Sequence, residues 1–102
     1  MRLFYVTLNN DADARTLAHL LLSRRDAVCC NWFPISCAYV WDGEIKQGAE
    51  TVLIAKSLES KREAIAAAVA ETISYTNFVG EIEVAAVNDG FAAWLTAVVG
   101  GI

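Results

Sequence analysis

Residues 28–57 read VCCNWFPISCAYVWDGEIKQGAETVLIAKS, and the fold turns on how this stretch pairs with itself. Val28 to Trp41 is rich in β-branched and aromatic residues and reads as one long strand. The strand is expected to bend near Pro34, and because proline cannot donate to a ladder it marks a bulge, an edge or a break. Asp42-Gly43 is the two-residue signature of a tight hairpin turn. The return strand reads in two parts, Glu44–Lys46 and Glu50–Ser57, with a bulge expected at Gly48.

Upstream, Arg2–Leu8 alternates like a strand, with Phe4, Val6 and Leu8 on one face and Leu3, Tyr5 and Thr7 on the other. Asn10 or Asp11 then caps a helix that runs to about Arg25, with Ala14, Leu17, Ala18 and Leu21 as its inner stripe. Arg24 and Arg25 fall in its last turn, where cations suit the helix dipole. Downstream, Ser57 or Ser60 caps a second helix, and Ser60 with Glu63 spells a capping box. That helix ends near Ile73. Glu81–Val87 reads as the last strand and Phe91–Val99 as a short terminal helix closed by Gly100-Gly101. The order is β-α-β-β-α-β plus a helix: a single α+β domain over residues 1–102 on the ferredoxin-like plan, an antiparallel sheet with helices on one face.

In such a plan the helix-free face is polar if it meets water. Here Leu3 and Tyr5 oppose Phe4 and Val6, Val52 and Ile54 oppose Leu53 and Ala55, and Ile35, Cys37, Tyr39 and Trp41 share a side opposite Ala38 and Val40, so both faces are apolar. The terminal helix, through Phe91, Trp94 and Leu95, can cover part of that surface, and other copies of the chain are the simplest cover for the rest. Composition agrees: 56% of the 102 residues are hydrophobic, more than a lone small core can hide.

The net charge of −4 argues against nucleic acid, whose affinity comes from phosphate neutralisation, and against an anionic membrane surface. No apolar run reaches the ~20 residues of a spanning helix. The N-terminus lacks a signal-peptide pattern, so a cytoplasmic location is expected. Three cysteines, two of them adjacent, make a poor disulfide framework, and free thiols are expected.

Cys29 and Cys30 alternate across a strand and cannot share one ion. Soft thiolates suit Cu(I) or Zn(II), which makes Cys29 the candidate metal ligand, although buried cysteines also pack as small hydrophobes. His19, the only histidine, falls away from the apolar stripe, so no histidine zinc cluster is available. Lys56 ends an apolar strand and either reaches to solvent or meets an anion. Tyr39 and Trp41 flank the hairpin turn, where they line a ligand cleft or anchor a neighbouring subunit. Glu50 and Glu81 sit at strand starts, solvated or recruited to a cation. No phosphate loop or nucleophile–base set is present, so the chain reads as a non-enzyme.

The chain resembles the CutA divalent-cation-tolerance family, on Cys29-Cys30-Asn31, Pro34, the Tyr39/Trp41/Gly43/Ile45 hairpin, Glu50, Lys56-Ser57 and the Phe91/Trp94/Leu95 helix. It departs from that family's His-Pro-Tyr-Glu-x-Pro-Glu segment: Tyr75–Glu81 keeps only the final Glu. The resemblance implies a homotrimer of PII-like architecture, linked to copper and other divalent metals. It implies a metal ion or small ligand in inter-subunit clefts lined by Cys29, Asn31, Tyr39, Trp41, Glu50, Lys56 and Glu81. The alternative is a PII-like signalling module that senses a nucleotide or other anion and docks on a partner protein.

Overall fold

A computed structural model describes residues 1–100 of the chain. The elements are β1 (Arg2–Leu8), α1 (Asp11–Ser23), β2 (Cys29–Trp41), β3 (Glu44–Ser57), a 3₁₀ turn (Glu59–Lys61), α2 (Arg62–Thr72), β4 (Val79–Glu83) and α3 (Asp89–Val99). The sheet runs β2-β3-β1-β4 and every pairing is antiparallel, as the ferredoxin-like plan requires. Gly101, expected to help end the terminal helix, lies outside the described residues.

Alternation along each strand sorts the faces. Phe4, Val6, Leu8, Leu53 and Ala55 point at the helices and are buried with Ala14, Leu17, Ala18 and Leu21 of α1 and Ile65, Ala68 and Val69 of α2. Asn10 is the α1 cap, its side-chain oxygen accepting the Asp13 amide at 2.8 Å. The helix stops earlier than expected, at Ser23. Arg25 takes a left-handed turn (φ +58°), and Arg24 instead reaches Glu71 of α2 at 2.8 Å.

The central hairpin is more regular than its sequence predicts. Each residue from Cys29 to Trp41 faces one of Lys56 to Glu44 in a single unbroken register, so there is no bulge at Gly48, which pairs with Cys37. Pro34 does not break β2, because β2 is an edge strand and only one of its backbone sides enters the ladder. Asp42 and Gly43 both have positive φ, the requirement of a tight two-residue turn whose twist suits its strands.

Two other expectations are corrected. Neither serine caps α2: Ser57 is buried and donates its hydroxyl to the Asp26 carbonyl, while Ser60 lies in the 3₁₀ turn and Lys61 precedes α2 without a side-chain cap. The last strand spans Val79–Glu83 rather than 81–87. It pairs only with β1, whose first residue, Arg2, faces Glu83, so the ladder runs out there.

The helix-free face is partly covered by α3, whose Leu95 and Val99 are buried with Val28 beside Met1, Cys29 and Phe91. Trp94 remains about half exposed and stacks edge-on against Phe91. β1 leaves β3 after Leu8 pairs with Thr51, so residues 35–50 continue as a two-stranded arm, which accounts for a longest dimension of 47 Å. The arm carries Val40 and Ile45, 73% and 78% exposed, and Trp41 at 58%. Among the described residues no helix is long and apolar enough to cross a membrane.

Candidate functional site

Where β1 ends and the arm begins, the chain forms a cleft of about 660 Å³. One wall is Thr7 of β1 and Asn9 just beyond it, with the loop 75–78; the other is the arm, through Tyr39, Val40, Trp41 and Glu50. The loop is held by its own polar groups. The Phe78 amide donates to the Thr7 hydroxyl and the Thr7 amide to the Phe78 carbonyl, both at 3.0 Å. Asn77 donates to the Thr7 carbonyl, also at 3.0 Å. The Tyr75 hydroxyl donates to Asp13 at 2.6 Å and accepts the Asn9 amide at 2.9 Å. Tyr5 meets the Phe78 ring edge-on at 6.1 Å between centroids. The loop wall is therefore pre-formed, with the Thr7, Asn9 and Phe78 amides all donating.

Among the described residues Glu50 is the only formally charged one of the lining. It is half-buried on β3 and makes no ion pair among the described residues. Its field reaches Tyr75 across the cleft and Cys37 on the arm. Burial first, and Glu50 in addition, push up the Cys37 thiol. Burial, with Asp13 and then Glu50 adding to it, raises the Tyr75 phenol to about 12.

Of the seven residues singled out from sequence, this cleft gathers Tyr39, Trp41 and Glu50. Cys29 and Lys56 lie elsewhere, facing each other across β2 and β3 on the helix-free side. The Lys56 ammonium sits 5.3 Å from the Phe91 ring centroid, a cation–π contact. Asn31 is exposed on the same side, opposite Ile54. Glu81 is on the helix side of the far edge strand and is already engaged. Arg2 donates to it at 2.8 Å and Arg62 at 2.9 Å. Arg62 first, then Arg2, hold its carboxyl down at about 2. Cys30 packs toward the helices, and burial lifts its thiol to about 12. All three thiols are free.

Sequence reading passed over Thr7, Asn9, Tyr75, Asn77 and Phe78. The available signal was two aromatics and an amide in a connecting loop with no helical or strand period.

A divalent metal fits one chain poorly. Among the described residues no three of His, Cys, Asp and Glu converge, and Cys29 has the cationic Lys56 as its cross-strand neighbour. A soft-metal site on Cys29 needs ligands from outside the single chain.

Residues 2–98 match the model of the CutA1 divalent ion tolerance protein family. The chain is 37% identical over 62 residues to the protein CutA homolog of Xenopus laevis, a stretch covering 60% of this chain but only 41% of that protein. It is 32% identical over 72 residues to the divalent-cation tolerance protein CutA of Archaeoglobus fulgidus, covering 71% of each. The fold superposes on the solved structure of that organism's CutA, described as periplasmic, with a TM-score of 0.93 at 28% identity over 97% of this chain and 99% of the other. The matched arrangement of hairpin, sheet and terminal helix spans nearly the whole chain, which belongs to the CutA1 divalent ion tolerance family.

Proposed function

We propose that the chain works as a homotrimer that binds, rather than turns over, a divalent cation such as copper or a small ligand in clefts between subunits, and that it does so in the cytoplasm. The observation that carries this reading is the arm. A two-stranded ribbon is marginal in water on its own. This one leaves Val40, Trp41 and Ile45 mostly, and Tyr39 nearly half, in solvent, and further copies of the chain would bury them. Family membership supports the link to divalent cations. Cys29 and Asn31, exposed or half-exposed on the helix-free side, are the positions at which a neighbouring subunit could complete a metal site.

Light scattering on the purified chain tests the assembly, with a trimer mass expected. Equilibrium dialysis against copper and zinc tests the metal. Binding that Cys29→Ala weakens supports the metal reading; no uptake by wild type, or equal uptake by the variant, removes it.

A second reading rests on Lys56. Its ammonium makes no ion pair among the described residues and lines a smaller cleft of about 250 Å³ with Met1, Asn88 and Phe91. That chemistry suits an anion such as a nucleotide phosphate, the ligand of a signalling module that docks on a partner. A thermal shift with adenine nucleotides that Lys56→Ala abolishes would favour it.

A further inference from the structure

We infer that the cleft at the base of the arm takes a small organic cation, with the Glu50 carboxylate as counter-charge and the rings of Tyr39, Trp41 and Phe78 as walls. This rests on the cleft being a ligand site and specifies what it holds.

The charge argument comes first. The sole formal charge of the lining among the described residues is negative, which disfavours an anion. None of the chain's own cations answers it. Six of the eight lysines and arginines are in ion pairs with other carboxylates, Arg25 is bonded to the Leu22 carbonyl, and Lys56 lies over Phe91. With no cation of the described residues paired to it, the Glu50 carboxylate leaves its charge open to one from outside the chain. Here the missing partner has room to arrive from solution.

The second argument is the kind of cation. Hard divalent ions take six or more oxygen ligands, and this lining offers one carboxylate. A single negative charge neutralises a single positive one. Aromatic faces attract a cation through their quadrupoles and also cover an apolar body, which a bare metal ion lacks. An ammonium carrying methyl or methylene groups uses both features of the wall. The volume, about 660 Å³, falls in the range of small-molecule sites. The clamped loop keeps Phe78 in place before anything binds, so on that wall little ordering cost remains.

The test uses the full chain and two probes of one shape: choline and 3,3-dimethyl-1-butanol, in which carbon replaces the charged nitrogen. Affinities are measured by calorimetry, and the indole N–H signals are followed by NMR. Choline is expected to bind at least about tenfold more tightly than the alcohol, moving the Trp41 signal. Glu50→Gln keeps the shape of the side chain and should erase that preference while leaving the melting temperature unchanged. Absence of choline binding, equal binding of the two probes, or a preference that survives Glu50→Gln each overturns the proposal. Trimer mass and copper uptake are read on the same samples. If they persist while choline fails, the ligand class is wrong and the metal-binding trimer stands; if all three fail, both readings fall.

Discussion

Replacing Ile45 by alanine separates a lone chain from an assembled one. In the single chain Ile45 keeps 78% of its surface in water, opposite Val40 in the β2–β3 pair. Fully burying an isoleucine is worth roughly 1.5–3 kcal/mol, so the fifth of its surface that is covered limits the loss to ~0.3–0.7 kcal/mol if the arm stands free. If another copy covers the arm, the same truncation removes a packed side chain and leaves a cavity, at about 2–5 kcal/mol per subunit. The two ranges do not overlap. Urea unfolding followed by circular dichroism at about 1 µM and about 50 µM protein is the assay, since association makes apparent stability depend on concentration. The covered arm predicts a loss above about 2 kcal/mol and a wild-type midpoint that rises with concentration. A loss below about 0.7 kcal/mol at both concentrations, with a concentration-independent midpoint, would refute the reasoning.

Two further outcomes follow from groups within one chain. Arg62 and Arg2 hold the Glu81 carboxyl at about 2, against an ordinary value of 4.5. A carboxyl depressed by folding contributes stability that is present above its unfolded value and lost as pH falls towards the folded one. Glu81→Gln should therefore be less stable than wild type at neutral pH, with the gap closing between about pH 4.5 and pH 2 in parallel urea titrations. A pH-independent gap would show that the arginines do not act on Glu81 as a charge. The buried Ser57 hydroxyl donates to the Asp26 carbonyl, tying the end of β3 to the turn that follows α1. Ser57→Ala leaves that carbonyl without its donor and should cost about 1–3 kcal/mol in chemical denaturation; a change near zero would mean that water replaces the hydroxyl.

Where a residue's fate depends on periodicity or turn chemistry, it was legible in the chain itself. The α1 stripe Ala14–Leu17–Ala18–Leu21 is buried as its spacing requires, and Asp42-Gly43 turns with the two positive φ angles that its residue types allow. Two of the misreadings share one cause: each used a local signal that contacts with distant residues override. Gly48 looks like a bulge only until thirteen consecutive cross-strand pairs hold it in register. Ser60-x-x-Glu63 spells a cap, yet Ser57 is drawn into the core and the chain enters α2 through a 3₁₀ turn instead. The cleft was half legible. Tyr39, Trp41 and Glu50 stand out as aromatics and an acid on one hairpin. The opposite wall comes from residues 7–9 and 75–78, which only the β1–β4 pairing brings together. Glu81 shows the limit in the other direction, because an acid at a strand start looks available until Arg2 and Arg62 are found on it.

The arm and the cleft are mechanically one feature. β1 stops at Leu8, opposite Thr51, and from Glu50 outward β3 has β2 as its only neighbour. The cleft opens at that point because the third strand is missing there: Glu50 is the first β3 residue without a β1 partner, and Asn9 and the 75–78 loop form the other wall. A ribbon this exposed gains little from its own apolar side chains, so its position relative to the loop is set by whatever lies against it. A subunit seated on Tyr39, Val40 and Trp41 would fix the far wall of the cleft, and a ligand bridging Glu50 to those rings would in turn favour the arm position that the neighbour needs. Assembly and ligand affinity are then linked, and by reciprocity each strengthens the other by the same factor. Choline affinity should therefore fall in Ile45→Ala, a residue outside the cleft lining, if a neighbour fixes the arm. An unchanged affinity would mean that the single chain already holds the arm in its binding position.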